Sequence, residues 1–391
     1  MKPVLLTNGV YWCGVLHPEL KVFDDLMPTT NGTSYNSYFI KGANKVAVVD
    51  TAKHLFQEAY LSSLQLLTPL DKIDYIVVNH AEPDHSGSLR ALADAAPNAK
   101  ILCSKPCSMY ITALANRPYN VQIVDEGTEI DLGGKTLRFY MTPMLHWPDT
   151  MMTYCPEDSL LFSCDGFGAH FCAPEIFNDL CVDYRRDFRV YYDVIMKPLA
   201  PNVVEAVEKI QGLHINMICP SHGPVLRRDP WEAVRYYKEW SMPKPTAAGK
   251  TVSVMYFSAH GCTKLMADAM AEGVRSGGAA CDVVHITEQS PDSLFHAIAR
   301  ADGILWGSST INRDAPPPIW SALAYAGLCK GKPVAVFGSY GWSGEAKKNI
   351  ELRLENAGAK LIDSECRFNL LPSADDLEKC RAFGSKFARS L

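Results

Sequence analysis

The sequence predicts a two-domain α/β protein: a layered αββα domain over residues 1–245, then a doubly wound parallel sheet over residues 250–391. Three observations carry this prediction. The length, 391 residues, is long for one hydrophobic core and comfortable for two. The segment from Ser241 to Lys250 holds Pro243, Pro245 and Gly249 between an amphipathic helix (Pro230 to about Trp240) and a strand, which reads as an interdomain linker. The rhythm of strands and helices also differs on its two sides.

Before the linker, apolar strands are expected at 45–50, 74–79, 136–141, 160–163 and 215–218, with helical stretches near 54–67 and 87–96. Mixed strands and helices of this kind predict layered αββα packing. After it, strands 251–257, 282–286, 303–306, 333–337 and 360–363 alternate with helices 264–276, 293–300, 319–328, 345–356 and 374–390. Five such units in this span predict a parallel, doubly wound sheet.

Composition narrows the function classes. The net charge is −5 and no Lys/Arg-rich run occurs, so no nucleic-acid surface is expected. No apolar stretch reaches the ~18 residues that span a bilayer, and the N-terminal patch is broken by Asn8 and Gly9. No membrane association and a cytoplasmic location are expected. The thirteen cysteines are scattered and form no C-x-x-C pair, which reads as reduced, mostly buried thiols and argues against a built-in rubredoxin-like module.

The segment Asn79-His80-Ala81-Glu82-Pro83-Asp84-His85-Ser86 follows a continuous apolar strand and precedes a helix. Four metal-competent side chains fall between His80 and His85, at the carboxyl end of a strand, where a loop can turn them into one crevice. Three later strand ends add His146, Asp165 and His222. Singly, His146 or His222 reads as an ordinary core or surface histidine; with the first cluster they form a ligand set.

This ordered set resembles the metallo-β-lactamase superfamily, with one informative difference. Where the hydrolases carry a third histidine, this chain has Glu82. A carboxylate there makes a harder, more anionic site that favours iron over zinc. Glu82, the segment Leu145-His146-Trp147-Pro148-Asp149, the segment Gly338-Ser339-Tyr340-Gly341-Trp342-Ser343-Gly344 and a flavodoxin-like C-terminal half make the whole chain similar to the flavodiiron proteins, also called A-type flavoproteins. The resemblance implies a metallo-β-lactamase-like domain followed by a flavodoxin-like one. It implies two iron ions per chain, one held by His80, Glu82 and His146, the other by Asp84, His85 and His222, with Asp165 bridging them.

The C-terminal domain carries matching signals for FMN. The turn Ser258-Ala259-His260-Gly261-Cys262-Thr263 lies between the first strand and a helix, where hydroxyls and N–H groups cradle phosphate. His260 and Cys262 stand where a flavodoxin is richer in hydroxyls. The loop Ser309-Thr310-Ile311-Asn312 ends the third strand and Ser339-Tyr340-Gly341-Trp342 ends the fourth, at the edge where such sheets bind ligands. An aromatic such as Tyr340 or Trp342 can lie against an isoalloxazine ring. No G-x-G-x-x-G occurs, so FMN is preferred over NAD.

The resemblance further implies an enzyme that reduces dioxygen to water, nitric oxide to nitrous oxide, or both, acting as a head-to-tail homodimer or dimer of dimers. Its electrons would come from a separate donor, rubredoxin with its reductase or a reduced deazaflavin. Two other readings compete: a di-zinc hydrolase with an appended flavodoxin module, and an electron carrier with a vestigial metal pocket. Trp147, Tyr191-Tyr192 and Tyr236-Tyr237 read as packing, Arg185-Arg186 as a solvated face, and Cys262 as no nucleophile.

Overall fold

The computed structural model describes residues 2–24, 27–242 and 249–391. The chain divides into two compact units at Pro243 and Lys244. That point falls in 243–248, so most of the expected linker lies outside the described residues.

The first unit is an αββα sandwich. One seven-stranded sheet contains Tyr38–Lys41, Val46–Val49, Tyr75–Val78 and Lys100–Cys103; a five-stranded sheet contains Thr136–Met141, Met151–Cys155, Leu160–Cys164 and Met217–Pro220. Strand alternation builds the layers. Val77 and Phe162 point into the core between the sheets, together with Val49, Phe139 and Met151. Their neighbours Ile76 and Val78 face outward onto Leu64, Leu92 and Ile111 of one helical layer. Leu161 and Ile218 face Val203, Val207 and Tyr237 of the other.

Expected and observed elements agree closely where the pattern is long. Thr136–Met141 is as expected, and the helix before the linker runs Pro230–Ser241. The stretch expected as one helix at 54–67 is a 3-10 turn, His54–Phe56, followed by Gln57–Gln65. The 87–96 helix is Leu89–Ala95, and ahead of it the metal-rich loop contains an unforeseen short helix, Pro83–Ser86. Pro83 sits at its first position, where a fixed φ favours the helix and the missing N–H costs nothing.

The second unit is a parallel sheet in the order Ala280–His285, Thr251–Tyr256, Gly303–Gly307, Pro333–Tyr340, Lys360–Leu361. This is a doubly wound, flavodoxin-like order, which reverses direction beside the first strand. One face buries Met255, Trp306 and Val336 under Ile298, Ile319 and Ile350; the other buries Val254, Leu305 and Phe337 under Met266, Met270 and Phe387. Several boundaries differ from expectation: the helix expected at 319–328 is Pro317–Leu323 followed by a 3-10 turn, Ala326–Cys329, the last expected strand is only Lys360–Leu361, and the first helix is Cys262–Ser276, so Cys262 and Thr263 belong to its first turn rather than to the turn before it.

Candidate metal centre and flavin loops

The metal-rich segment begins where strand Tyr75–Val78 ends. Its exit is pinned by the buried carboxylate of Asp50, which accepts the Asn79 backbone N–H at 2.8 Å and the side-chain Nδ2–H at 3.1 Å. Burial pushes the Asp50 carboxyl up to about 6, opposed by His85 and those donors. The chain then turns through Pro83–Ser86 and buries Asp84 and His85.

All seven expected ligands converge, and they do so as two groups. Glu82 Oε2 lies 3.1 Å from His80 Nε2 and 2.8 Å from His146 Nε2, and both nitrogens lie 3.7 Å from Asp165 Oδ2. On the other side, His85 Nε2 is 3.0 Å from Asp165 Oδ1 and 3.4 Å from Asp84 Oδ1. His222 Nε2 is 3.0 Å from Asp84 Oδ2 and 3.6 Å from Asp165 Oδ1. Asp165 therefore presents one oxygen to each group. Cys164 Sγ also lies within reach of His85 and Asp165, but burial and then the Asp165 charge hold its thiol well above the usual range.

The electrostatics of this cluster are those of a cation site. Burial opposes charge on His80, Glu82, Asp84, His85 and Asp165, yet opposite charges prevail. His80 rises to about 9 against burial, through its bonds to Asp149 and Glu82. His85 rises well above its ordinary value against burial, through Asp84 and Asp165. Asp84 and Asp165 fall below the usual carboxylate range against burial, chiefly through His85. Among the described residues, both oxygens of Asp84, Oδ2 of Asp165 and Nδ1 of His85 are buried without a well-formed hydrogen bond. Raised histidines beside lowered carboxylates mark a place for positive charge.

A surrounding layer orients these ligands. Asp149 lies 3.1 and 3.2 Å from His80 Nδ1, accepts the Ala81 N–H at 2.7 Å, and is itself held by Ser104 Oγ donating to its carbonyl at 2.7 Å. His222 Nδ1 donates to the Ser34 carbonyl at 2.7 Å. Tyr191 Oη donates to Asp165 Oδ1 at 2.9 Å. Sequence reasoning missed each of these roles. Tyr191 was expected only to pack; it packs, and its hydroxyl reaches the cluster as well. Asp149 stood inside a quoted segment, and its signal was an acid three residues after His146, in a stretch the fold buries. Trp147 packs as expected, edge-on to His80 with ring centroids 5.0 Å apart. Tyr192 and Tyr237 pack at 5.1 Å, Tyr236 stacks on Trp240, and Arg185 and Arg186 are exposed.

In the second unit three loops meet at one hydroxyl. Thr263 Oγ1 lies 3.3 Å from Ser309 Oγ and 3.0 Å from Ser339 Oγ. Ser309 Oγ accepts the Ala259 N–H at 3.3 Å, and Ser258 Oγ accepts the Lys264 N–H at 3.2 Å. Gly261 has φ +84° and precedes the helix start, a conformation side-chain-bearing residues rarely adopt. Gly338 lets two of these loops touch: a Cβ there would lie 1.9 Å from the Ser308 carbonyl oxygen. His260, Ile311 and Asn312 are exposed, with Cys262 and Thr310 partly so. Tyr340 lies under the Arg367 guanidinium at 4.8 Å, and the Tyr340 and Gly341 carbonyls accept from Asn369 Nδ2. Trp342 is 85% exposed.

Comparison with known proteins agrees with both folds. The profile of the ODP family beta lactamase matches residues 33–223, and the flavodoxin profile matches residues 254–384. The chain is 36% identical to flavo-diiron protein FprA2 of Clostridium acetobutylicum, covering all of both chains. It is 36% identical to the anaerobic nitric oxide reductase flavorubredoxin of Vibrio vulnificus, covering 98% of this chain and 78% of that one. Among solved structures it is similar to rubredoxin oxygen:oxidoreductase from Desulfovibrio gigas, with 30% identity, a TM-score of 0.84, and coverage of 100% and 98%. With a lactamase-like cluster carrying Glu82 in one unit and flavodoxin loops in the other, the chain belongs to the flavodiiron proteins, the type A flavoproteins.

Proposed function

We propose that this chain is a flavin-dependent diiron oxidoreductase that reduces dioxygen to water, nitric oxide to nitrous oxide, or both, with electrons from a separate donor. One observation carries the reading: Asp165 turns one oxygen to His80, Glu82 and His146, and the other to Asp84, His85 and His222. The residues present fit a metal pair. Among the described residues both oxygens of Asp84 and Oδ2 of Asp165 are buried without a well-formed hydrogen bond, and the seven side chains gather their nitrogens and oxygens within metal-binding reach. Imidazoles and carboxylates without thiolate suit iron, and seven donors for two ions leave positions open.

Bound there, iron would supply one-electron chemistry and open positions for a diatomic molecule, and FMN would supply electrons from a two-electron store. The protein supplies geometry and protons' places. Asp149 holds a proton on His80 Nδ1, so the Nε2 lone pair faces the cluster; the Ser34 carbonyl does the same for His222. The Tyr191 hydroxyl shares the charge of Asp165 Oδ1. The FMN phosphate would be held by Ser258, Thr263, Ser309 and the first-turn N–H groups of helix Cys262–Ser276, and its ring by Thr310, Asn312, Tyr340 and Trp342. Dioxygen takes four electrons and four protons to two waters; two nitric oxide molecules take two of each to nitrous oxide and water.

The donor we favour is rubredoxin with its reductase, or a reduced deazaflavin, since no C-x-x-C motif occurs in the chain. The assembly we favour is a head-to-tail homodimer, alone or paired, which sets one chain's flavin beside its partner's irons. Exposed Trp342, Leu370 and Leu371 beside the flavin loops support a covered face. Thirteen free cysteines support the cytoplasm, and among the described residues no helix is long and apolar enough to cross a membrane.

The decisive experiment is metal analysis followed by anaerobic turnover of the chemically reduced, iron-loaded protein with each gas in turn. Consumption of either gas at catalytic rates is the expected result. Zinc in place of iron, with hydrolase activity and no flavin-dependent turnover, would instead establish the di-zinc reading.

A further inference from the structure

Beside the cluster lies a buried histidine that the ligand set does not use. His170 follows Asp165 by five residues, and its segment is pinned by the Ala169 N–H donating to the His222 carbonyl at 3.3 Å and by the bridge between Asn31 and Phe171. The ring is stacked on Phe23 with centroids 4.1 Å apart. It stands edge-on to His222 and to Tyr191, each at 4.9 Å. Both neighbours bond directly to the metal-site carboxylates: His222 to Asp84 and Tyr191 to Asp165.

The hydrogen-bond chain favours one tautomer of this ring. The Ser34 carbonyl can only accept, so His222 Nδ1 carries a proton and donates to it at 2.7 Å, while Nε2 faces Asp84. Thr33 Oγ1 lies 3.3 Å from that Nδ1 and 3.0 Å from His170 Nδ1. The Thr33 hydroxyl has two acceptors in reach, the Ser34 carbonyl at 3.3 Å and His170 Nδ1 at 3.0 Å, and the shorter contact favours donation to His170 Nδ1. In that arrangement His170 carries its own proton on Nε2. That atom is buried, in a residue only 4% exposed, and has no hydrogen-bond partner among the described residues. A buried N–H that the chain leaves unpaired is costly and calls for an outside acceptor.

We infer that His170 Nε2–H is a hydrogen-bond donor to the small oxygen-bearing molecule bound on the His222 side of the metal pair, which Phe23 covers. The inference rests on the diiron reading. Negative charge grows on oxygen when either gas is reduced, and a fixed donor in a dry place stabilises such charge strongly. Phe23 and Tyr191 hold the ring so that the donor does not have to reorganise.

The test uses the full-length, iron-loaded, oxidised protein with bound FMN, titrated with azide and read from the azide-to-iron charge-transfer band. His170→Leu removes the donor; His170→Gln keeps an N–H. The expected result is azide binding weakened about tenfold in the Leu variant and within a few-fold of wild type in the Gln variant, at equal iron and FMN content. An unchanged azide affinity in His170→Leu overturns the inference. Should that variant lose iron, His170→Phe, which keeps a ring and removes both nitrogens, is titrated instead. Iron loss in both overturns the inference too, because it assigns His170 to holding His222. A wild-type protein that takes up no iron strikes the diiron reading itself, and an iron-loaded wild type with a clear azide band leaves only His170 in question.

Discussion

The two sites are built from opposite materials. The metal cluster consists of buried or partly buried imidazoles and carboxylates, three of them held by a further contact: His80 by Asp149, His222 by Ser34 and Asp165 by Tyr191. The flavin loops are largely exposed and made of backbone and hydroxyls, gathered around Thr263. In a dry interior a misplaced charge has no water to screen it, so the cluster tolerates almost no change of residue type. Backbone N–H groups are supplied by any residue, so His260 and Cys262 can stand where hydroxyls would be usual.

This contrast is open to breaking, beginning with the largest effect. Asp165→Asn removes charge shared by both ligand groups; turnover should be nearly abolished and iron content should fall, while FMN stays bound by absorbance. A variant with normal turnover contradicts the bridging role. Asp149→Ala frees the His80 ring and should weaken iron binding or activity about 10–100-fold, again without touching FMN. If FMN falls equally, the two sites are not separable in the way described.

Acidity offers a third lever. His80 is held at about 9, so below that value a proton occupies the nitrogen that iron needs. Apparent iron affinity should be greatest above this pH and fall about tenfold per unit for each proton displaced as pH drops; FMN affinity should stay flat over the same range. A pH-independent iron titration would contradict it. Gly338→Ala forces a Cβ against the Ser308 carbonyl and should cost the second unit about 1–3 kcal/mol, seen as a lower melting transition and weaker FMN with iron unchanged. Thr263→Val is the mildest: loss of one shared hydroxyl, about 1 kcal/mol or a few-fold in FMN affinity by fluorescence quenching.

The same contrast explains what could be read from residues alone. His80 to His85 compress four metal-competent groups into one strand exit, and that density cannot be mistaken for surface decoration. The long elements were legible because their periodicity spans many residues, as in Glu345–Asn356 and Thr136–Met141. Pro83–Ser86 was not, since four residues carry no period. Asp149 is 69 positions from His80, and Tyr191 is 26 from Asp165. Each looks ordinary in its own segment, and only the fold brings it to its partner. His170 was invisible for the same reason.

One feature of the sandwich reaches beyond catalysis. His80, Glu82, Asp84 and His85 hang from the seven-stranded sheet, whereas His146, Asp165 and His222 hang from the five-stranded one. Ions seated among them would suture the two halves of the first unit at their shared rim. An ion present at a thousand times its dissociation constant adds about 4 kcal/mol to the folded state. Chelation should then unfasten that seam in calorimetry, lowering the transition of the lactamase-like unit while that of the flavodoxin-like unit keeps its place.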